Sequence, residues 1–248
     1  MLHPLTDLYL SVLNALLPTI KSLINSPVLI SQLSAVFMSH VWEALSNGVD
    51  QNGKPVKQHL ITPHAQGTVL DLGAGHGHTV FYLDRAKVTN YIALEPNTLM
   101  HPRLRQNANK AGFHEHDGTL LILSCGAENT EHILSAIGWT PVDTLVSVLT
   151  LCTVPDPPNT LRALVEHVLK PGGQFLYYEH VLSHRPDVAR WQRFWAPVWA
   201  VAFDGCRMDR PTQKYIDEAT EWRERSVWGK EGEPEENLFY HRVGKYYK

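Results

Sequence analysis

The chain has 248 residues, with 22 Lys and Arg against 25 Asp and Glu, giving a formal net charge of −3 at pH 7. This length suits one large α/β domain or a core with a small appendage. The near balance of charge, without a basic stripe, argues against nucleic acid as a partner. The three cysteines, Cys125, Cys152 and Cys206, are widely separated. Their spacing indicates neither a disulfide framework nor a thiolate zinc site, so we predict no metal and a cytoplasmic location.

The N-terminal segment, residues 5–24, is apolar but contains Asp7, Asn14, Pro18 and Lys21. It lacks about 20 uninterrupted apolar residues and has no basic region or cleavage site, so we predict neither a membrane span nor a cleaved signal. Its leucines recur at helical spacing and predict one apolar face. That face either packs on the rest of the protein or makes peripheral contact with a lipid surface or a partner.

A second helix is predicted from Ser26, as its cap, through Pro27 at its first position, to Gly48 at its end. Residues 47–58 are rich in turn-forming residues and predict a linker. We therefore divide the chain into a helical cap or lid with its linker, residues 1–66, and a core, residues 67–248. The cap is expected to fold over the ligand site, with Phe37, Val41 and Trp42 contributing to the wall around a bound acceptor.

From residue 67 onward, short apolar runs bounded by turns alternate with helical stretches. This order predicts a Rossmann-like parallel sheet with helices on both faces. The last two runs flank "EGEPEE" and predict a C-terminal antiparallel pair. The predicted strands are residues 68–72, 91–95, 119–124, 142–151, 173–181, 223–230 and 237–248.

The stretch "VLDLGAGHGHTVFYL", residues 69–83, joins a strand ending near Asp71 to a helical pattern through three glycines. Glycines without Cβ atoms let a ligand approach the backbone at the carboxyl end of a strand. Glu95 ends the next strand, 18 residues after Gly77, where its carboxylate can accept both hydroxyls of a ribose. The third glycine comes one residue early for NAD, and no lysine follows the glycines as an ATP-hydrolysing loop requires.

A GxGxG turn after an acid, with a downstream glutamate and a terminal hairpin, resembles the class I S-adenosylmethionine-dependent methyltransferases over residues 67–248. The segments "LTLC", "KPGG", "EHV" and "DGC" occur in this order in the second half of the chain. Together they resemble the methyltransferase-like 7 group of small-molecule thiol methyltransferases and its fungal relatives. The resemblance implies a seven-stranded sheet, S-adenosylmethionine as cofactor, and a small, apolar thiol or hydroxyl acceptor, as in secondary metabolism.

The resemblance also implies which residues bind the cofactor. The glycine loop would contact its amino-acid end, Glu95 its ribose, the residues after Glu95 and residues 126–128 its adenine, and the segment after the fourth strand its sulfonium. The implied cofactor residues are Asp71, Gly73, Ala74, Gly75, His76, Gly77, Glu95, Pro96, Asn97, Gly126, Ala127, Glu128, Thr150 and Leu151.

For the acceptor, His180 is a candidate to take a thiol proton or to stabilise a thiolate, with Glu179 and Asp204 as its catalytic partners. Alternatively, His180 and Glu179 only orient the "DGC" segment, with Asp204 as a hydrogen-bond partner. Cys152 and Cys206 are interpreted as packing residues, because methyl transfer needs no nucleophilic cysteine.

Trp191, Trp195 and Trp199 recur along one helical face and form either core or an acceptor wall. His114 and His116 lack a third ligand and predict a solvated loop. Two other functions stay open beside methyl transfer. One is a cyclase that binds the cofactor without donating its methyl group, and the other is a non-catalytic protein of a lipid surface or a partner complex.

Overall fold

In the computed structural model, which describes residues 3–248, helices and strands alternate after an N-terminal helical pair. The α-helices are α1 His3–Asn25, α2 Leu33–His64, α3 His101–Lys110, α4 Thr130–Ala136, α5 Pro157–Ala163, α6 Pro186–Ala202 and α7 Thr212–Asp217. The strands are β1 Gly67–Leu72, β2 Val88–Leu94, β3 Leu120–Leu123, β4 Val142–Val148, β5 Leu169–His180, β6 Glu224–Gly229 and β7 His241–Tyr247. Short 3₁₀ turns cover Pro27–Gln32, His78–Tyr82 and Thr98–Met100, and a π turn covers Leu164–Val168.

The seven strands form one sheet in the order β3-β2-β1-β4-β5-β7-β6. Strands β1 to β5 run parallel, and β7 lies antiparallel between β5 and β6. The predicted Rossmann-like sheet with a C-terminal antiparallel pair is confirmed. Because the strand order reverses direction between β1 and β4, their carboxyl ends open a crevice at a topological switch point.

The parallel strands are buried on both faces, which explains their nearly continuous apolar sequences. Along β1, Leu70 belongs to the hydrophobic cluster on one face of the sheet and Val69 to the cluster on the other. Leu145 and Val146 of β4 alternate in the same way. This double burial fixes the register of β1 and β4, and with it the positions of the loops that follow them.

Helix α2 differs from the sequence prediction, because it runs without interruption through Gly48 to His64. The predicted linker at residues 47–58 is therefore wrong, and Ser26 makes no side-chain cap bond but precedes a 3₁₀ turn. The second half of the helix packs on the sheet, with Leu60 and Ile61 fully buried. Lys57 is also buried, and it forms an ion pair with Asp50, seven residues earlier in the same helix. This packing outweighs the weak helix propensity of glycine and proline in the segment.

The inner faces of α1, α2 and α6 meet in a separate hydrophobic cluster that includes Ala15, Val41, Ala196 and Trp199. The outer face of α1 is apolar and exposed, as at Leu13, Leu17 and Ile24. By length and composition alone, Leu5–Asn25 and Pro27–Leu60 are each long and apolar enough to cross a membrane.

Candidate active site

The glycine loop after β1 is held in a backbone conformation that favours glycine. Gly73 and Gly75 have φ angles of +59° and +55°. A Cβ atom on Gly73 would lie 2.4 Å from Cγ2 of Thr150, and one on Gly75 would lie 2.7 Å from Nε1 of Trp42. The loop is therefore pressed between the end of β4 and helix α2, with no room for side chains.

The Glu95 carboxylate ties this loop to the end of β2. Its Oε2 accepts the Gly75 N–H at 2.7 Å, and its Oε1 accepts the Asn97 N–H at 2.8 Å. Burial raises the pKa of Glu95, while the Asn97 and Gly75 hydrogen bonds act in the opposite direction. Each carboxylate oxygen has two lone pairs, so Glu95 retains acceptor capacity for a ligand.

A cavity of about 750 Å³ opens over the carboxyl ends of the strands. This volume is within the range of about 300–1,000 Å³ typical of small-molecule sites. Nine of the implied cofactor residues line it: Gly73, Gly75, Glu95, Pro96, Asn97, Gly126, Ala127, Glu128 and Thr150. Most of the cofactor residues implied by the sequence therefore lie in the wall of this cavity.

The other five implied cofactor residues, Asp71, Ala74, His76, Gly77 and Leu151, do not line the cavity. Asp71 lies below the loop, where its Oδ2 accepts the Tyr91 hydroxyl at 2.8 Å and burial raises its pKa to about 7. His76 is buried against α2, with Nδ1 3.3 Å from Oγ of Ser46, and burial lowers its pKa to about 4. The side chains of Asp71 and His76 therefore support the glycine loop on the side away from the cavity.

Glu179 also differs from its predicted role. It is fully buried, and Oε1 accepts the Ser147 hydroxyl at 2.7 Å and the Thr150 N–H at 2.9 Å. Oε2 accepts the Leu151 N–H at 3.2 Å. Glu179 does not line the cavity. We therefore assign it a positioning role, since its carboxylate holds the loop after β4 in place.

His180, the next residue, lines the cavity beside two cysteines. Its Nε2 lies 3.5 Å from Sγ of Cys206, and that sulfur lies 3.3 Å from Sγ of Cys152. The hydrogen bond with Cys152 and the neighbouring His180 lower the pKa of Cys206 against the opposite effect of burial. The sequence interpretation of both cysteines as packing residues missed this cluster, although "LTLC" and "DGC" follow elements that end at the same edge of the fold.

Asp204 also lines the cavity, but it is not bonded to His180. Its Oδ1 accepts the Ser34 hydroxyl at 2.8 Å, and its φ angle is +48°. The predicted His180–Asp204 partnership is therefore replaced by a link from the "DGC" segment to the start of α2.

Aromatic and aliphatic side chains form the remaining wall. Trp199 stacks on Phe203 with ring centroids 3.9 Å apart and lies 5.0 Å from the Phe239 ring. Val41 and Trp42 of α2 line the cavity as expected for a lid, whereas Phe37 packs in the helical cluster.

The remaining sequence candidates lie away from the cavity. Trp191 is 40% exposed, and Trp195 packs at the edge of the helical cluster. Only Trp199 of the three tryptophans therefore lines the cavity. His114 and His116 contact each other, with ring centroids 5.1 Å apart, on the loop before β3.

A family model described as "Methyltransferase domain" matches residues 36–218, which is most of the chain. The chain belongs to the methyltransferase domain family. The prediction of a class I methyltransferase fold is confirmed, and this family is the one expected for the predicted methyltransferase enzyme. The family match begins inside α2, so all the α2 residues that line the cavity except Ala35 belong to the methyltransferase domain, while α1 precedes it.

Two curated relatives carry a more specific name. The thiol S-methyltransferase TMT1B of Rattus norvegicus is 32% identical over 154 residues, 61% of this methyltransferase and 59% of the relative. The thiol S-methyltransferase TMT1A of Homo sapiens is 27% identical over 168 residues, 66% of this chain and 63% of the relative. The methyltransferase thus spans less than two thirds of the length of either relative.

Solved structures share the fold at low identity. An O-methyltransferase family protein from Burkholderia thailandensis has a TM-score of 0.61 at 12% identity, covering 90% of this chain and 62% of that one. A geranyl diphosphate methyltransferase in complex with SAM has a TM-score of 0.56 at 12% identity, covering 79% and 84%. At this identity the likeness establishes the fold.

The site fits S-adenosylmethionine, the cofactor expected for this family. Glu95 offers a buried carboxylate to ribose hydroxyls, and the bare backbone of Gly73 and Gly75 suits the close approach of an amino-acid group. Gly126 and Ala127 add small residues to the cavity wall, and Glu128 adds a carboxylate. The loops after β1, β2 and β4 would therefore hold the cofactor, which would supply an activated methyl group.

Proposed function

We propose that this methyltransferase transfers the methyl group of S-adenosylmethionine to the sulfur of a small, apolar thiol. One observation carries the proposal. A single cavity is lined both by the glycine loop and Glu95 and by the Cys152–His180–Cys206 cluster and the Trp199–Phe203 stack. The thiol S-methyltransferase names of the relatives support sulfur over oxygen as the acceptor atom.

The residues of the chain bind, orient and exclude water in this reaction. S-adenosylmethionine supplies a methyl group already activated on a sulfonium sulfur. The aromatic wall desolvates the acceptor and holds it in line with that group, and such orientation is worth up to about 7–11 kcal/mol in favourable cases. Thr150, held by Glu179, fixes the loop between the two ligands.

The acceptor must lose its proton to become a good nucleophile. A thiol with a pKa near 8.5 is only a few per cent ionised at neutral pH. His180 is an imidazole on the cavity wall that either takes the proton or stabilises the thiolate. This assigns His180 to the part of the site that binds the acceptor.

The test is methyl transfer from labelled S-adenosylmethionine to matched thiols, phenols and carboxylates. We expect a product heavier by one CH₂ from apolar alkyl or aryl thiols, with the matched phenol much slower. Methylation of phenols or carboxylates in preference to thiols would overturn the assignment of sulfur. A product of unchanged mass would indicate the cyclase reaction instead.

The exposed outer faces of α1 and α6 support peripheral contact with a lipid surface. Leu17 and Ile24 of α1 are 59% and 71% exposed, and Phe194 and Val201 of α6 are 64% and 83% exposed. Apolar side chains in this density on the outside of packed helices are typical of interfacial contacts. Flotation of the full chain with liposomes, compared with a chain lacking residues 1–25, tests this contact; equal flotation of the two would exclude α1 from it.

A further inference from the structure

The cluster of Cys152, His180 and Cys206 has the composition and geometry of a metal site. Its three ligand atoms, the two sulfurs and Nε2, all lie within 4.8 Å of one another. Tetrahedral zinc, with Zn–S near 2.3 Å and Zn–N near 2.0–2.1 Å, places two sulfurs about 3.8 Å apart and sulfur and nitrogen about 3.6 Å apart. The corresponding distances here are 3.3 Å and 3.5 Å.

The surroundings of the cluster match those of a catalytic zinc site more closely than those of a structural zinc site. Structural zinc sites have four protein ligands, whereas catalytic sites have three and leave one position open. Within the part of the chain that the structure describes, the cluster holds three donors. Cys152 and His180 are 2% and 5% exposed, and all three residues line the cavity. The fourth position would therefore face the space assigned to the acceptor.

Burial also favours a metal over the free side chains. Nδ1 of His180 has no hydrogen-bond partner among the described residues, so its Nε2 contact with Cys206 is the polar interaction that orients the ring. The two thiolates that form on binding carry a charge of −2 that Zn²⁺ would neutralise, so the bound site would bury no unpaired charge. A disulfide would instead bring the sulfurs to about 2.05 Å and would give the imidazole no role.

We propose that Cys152, His180 and Cys206 bind a zinc ion whose open position receives the sulfur of the acceptor thiol. Zinc binding releases the protons of the two cysteine thiols, and coordination of the acceptor releases its thiol proton to solvent. The metal-bound sulfur keeps a lone pair for attack on the methyl carbon, and the sulfonium C–S bond breaks as the new C–S bond forms. This inference rests on the proposed transfer to sulfur, and His180 then stabilises the thiolate through the ion.

The first test measures metal binding without cofactor or acceptor, so it is independent of methyl transfer. Full-length protein, purified with a phosphine reductant that is then removed, is titrated with Zn²⁺ by calorimetry and with Co²⁺ by absorption. We expect about one ion per chain and a thiolate-to-cobalt charge-transfer band. Cys206→Ser and Cys152→Ser should lose the band and most of the zinc, whereas Cys125→Ser, which alters the third cysteine, should keep both.

The second test adds butanethiol to the Co²⁺-loaded protein. A change in the charge-transfer band, absent with butanol, is expected if the thiol takes the open position. His180→Gln provides a further variant should a cysteine variant fail a thermal unfolding check. Absence of metal binding in the folded wild-type chain, a Cys152–Cys206 disulfide that persists after reduction, or a band unaffected by butanethiol would each overturn the proposal. Metal binding without methyl transfer to any thiol would support the metal site and refute the proposed function alone.

Discussion

Replacement of Glu95 by alanine tests the cofactor site at the residue whose carboxylate ties the glycine loop to the end of β2. The carboxylate is 6% exposed and accepts two backbone N–H groups, at 2.7 Å from Gly75 and 2.8 Å from Asn97. Two further hydrogen bonds to ribose hydroxyls, at about 1.5–3 kcal/mol each for a charged acceptor, amount to about 3–6 kcal/mol. This corresponds to a loss of roughly 100-fold to 10,000-fold in affinity for S-adenosylmethionine.

Calorimetric titration of Glu95→Ala with S-adenosylmethionine measures the loss directly. Glu95→Gln keeps the shape but loses the charge and one backbone acceptor, so its affinity should fall between those of the wild type and the alanine variant. Glu218→Ala, which removes an exposed carboxylate paired with Lys214 at 3.7 Å, serves as the charge control. A folded Glu95→Ala chain that loses less than about tenfold in affinity, or about 1.4 kcal/mol, would refute the ribose assignment.

Three other outcomes follow from the same geometry. Gly75→Val should abolish cofactor binding in a folded chain, since its side chain would strain a φ of +55° and displace the Trp42 indole; retained binding in calorimetry would place the ligand elsewhere. Deletion of residues 1–25 should reduce turnover of a soluble thiol far more than cofactor affinity, because Asp7 and Ser11 of α1 line the cavity while the glycine loop and Glu95 stay in place. Normal turnover with lost liposome flotation would exclude the lid. The pKa of Asp71 is raised to about 7 in the folded state, so its protonated form favours folding. Its contribution to the free energy of unfolding is therefore complete below about pH 4 and is lost as the pH rises to 7. Asp71→Asn should therefore flatten the fall in melting temperature between about pH 4 and 7, and an unchanged slope would contradict this titration.

The elements that sequence predicted well are those in which local pattern and burial agree. The strand runs were found because parallel strands buried on both faces are almost continuously apolar, as at residues 91–94. The glycine loop and Glu95 were found because they follow the first two strands of such a sheet. Short stretches of consecutive residues carry these signals, so the loop and Glu95 could be predicted without knowledge of contacts between distant residues.

The elements that sequence did not predict depend on contacts between distant residues. Gly48 and Gly53 indicate a turn locally, but the burial of Leu60 and Ile61 on the sheet keeps α2 helical through them. Cys152 and Cys206 are separated by 54 positions, and their approach to His180 exists only after the sheet has formed. Adjacency in the sequence predicted Glu179 as a catalytic partner of His180, but the side chains of adjacent strand residues point to opposite faces of the sheet.

Helix α2 contacts both the glycine loop and the aromatic wall of the cavity, since Trp42 abuts Gly75 and Val41 lies in the cluster with Trp199. A tilt of this helix that admits an acceptor would also move the indole away from Gly75. The two ligands would then bind with a coupling free energy, and each would change the affinity of the other by the same factor. The order in which cofactor and acceptor enter, and the rate at which the methylated product leaves, would be set by the motion of one rigid helix more than by the chemistry beneath it.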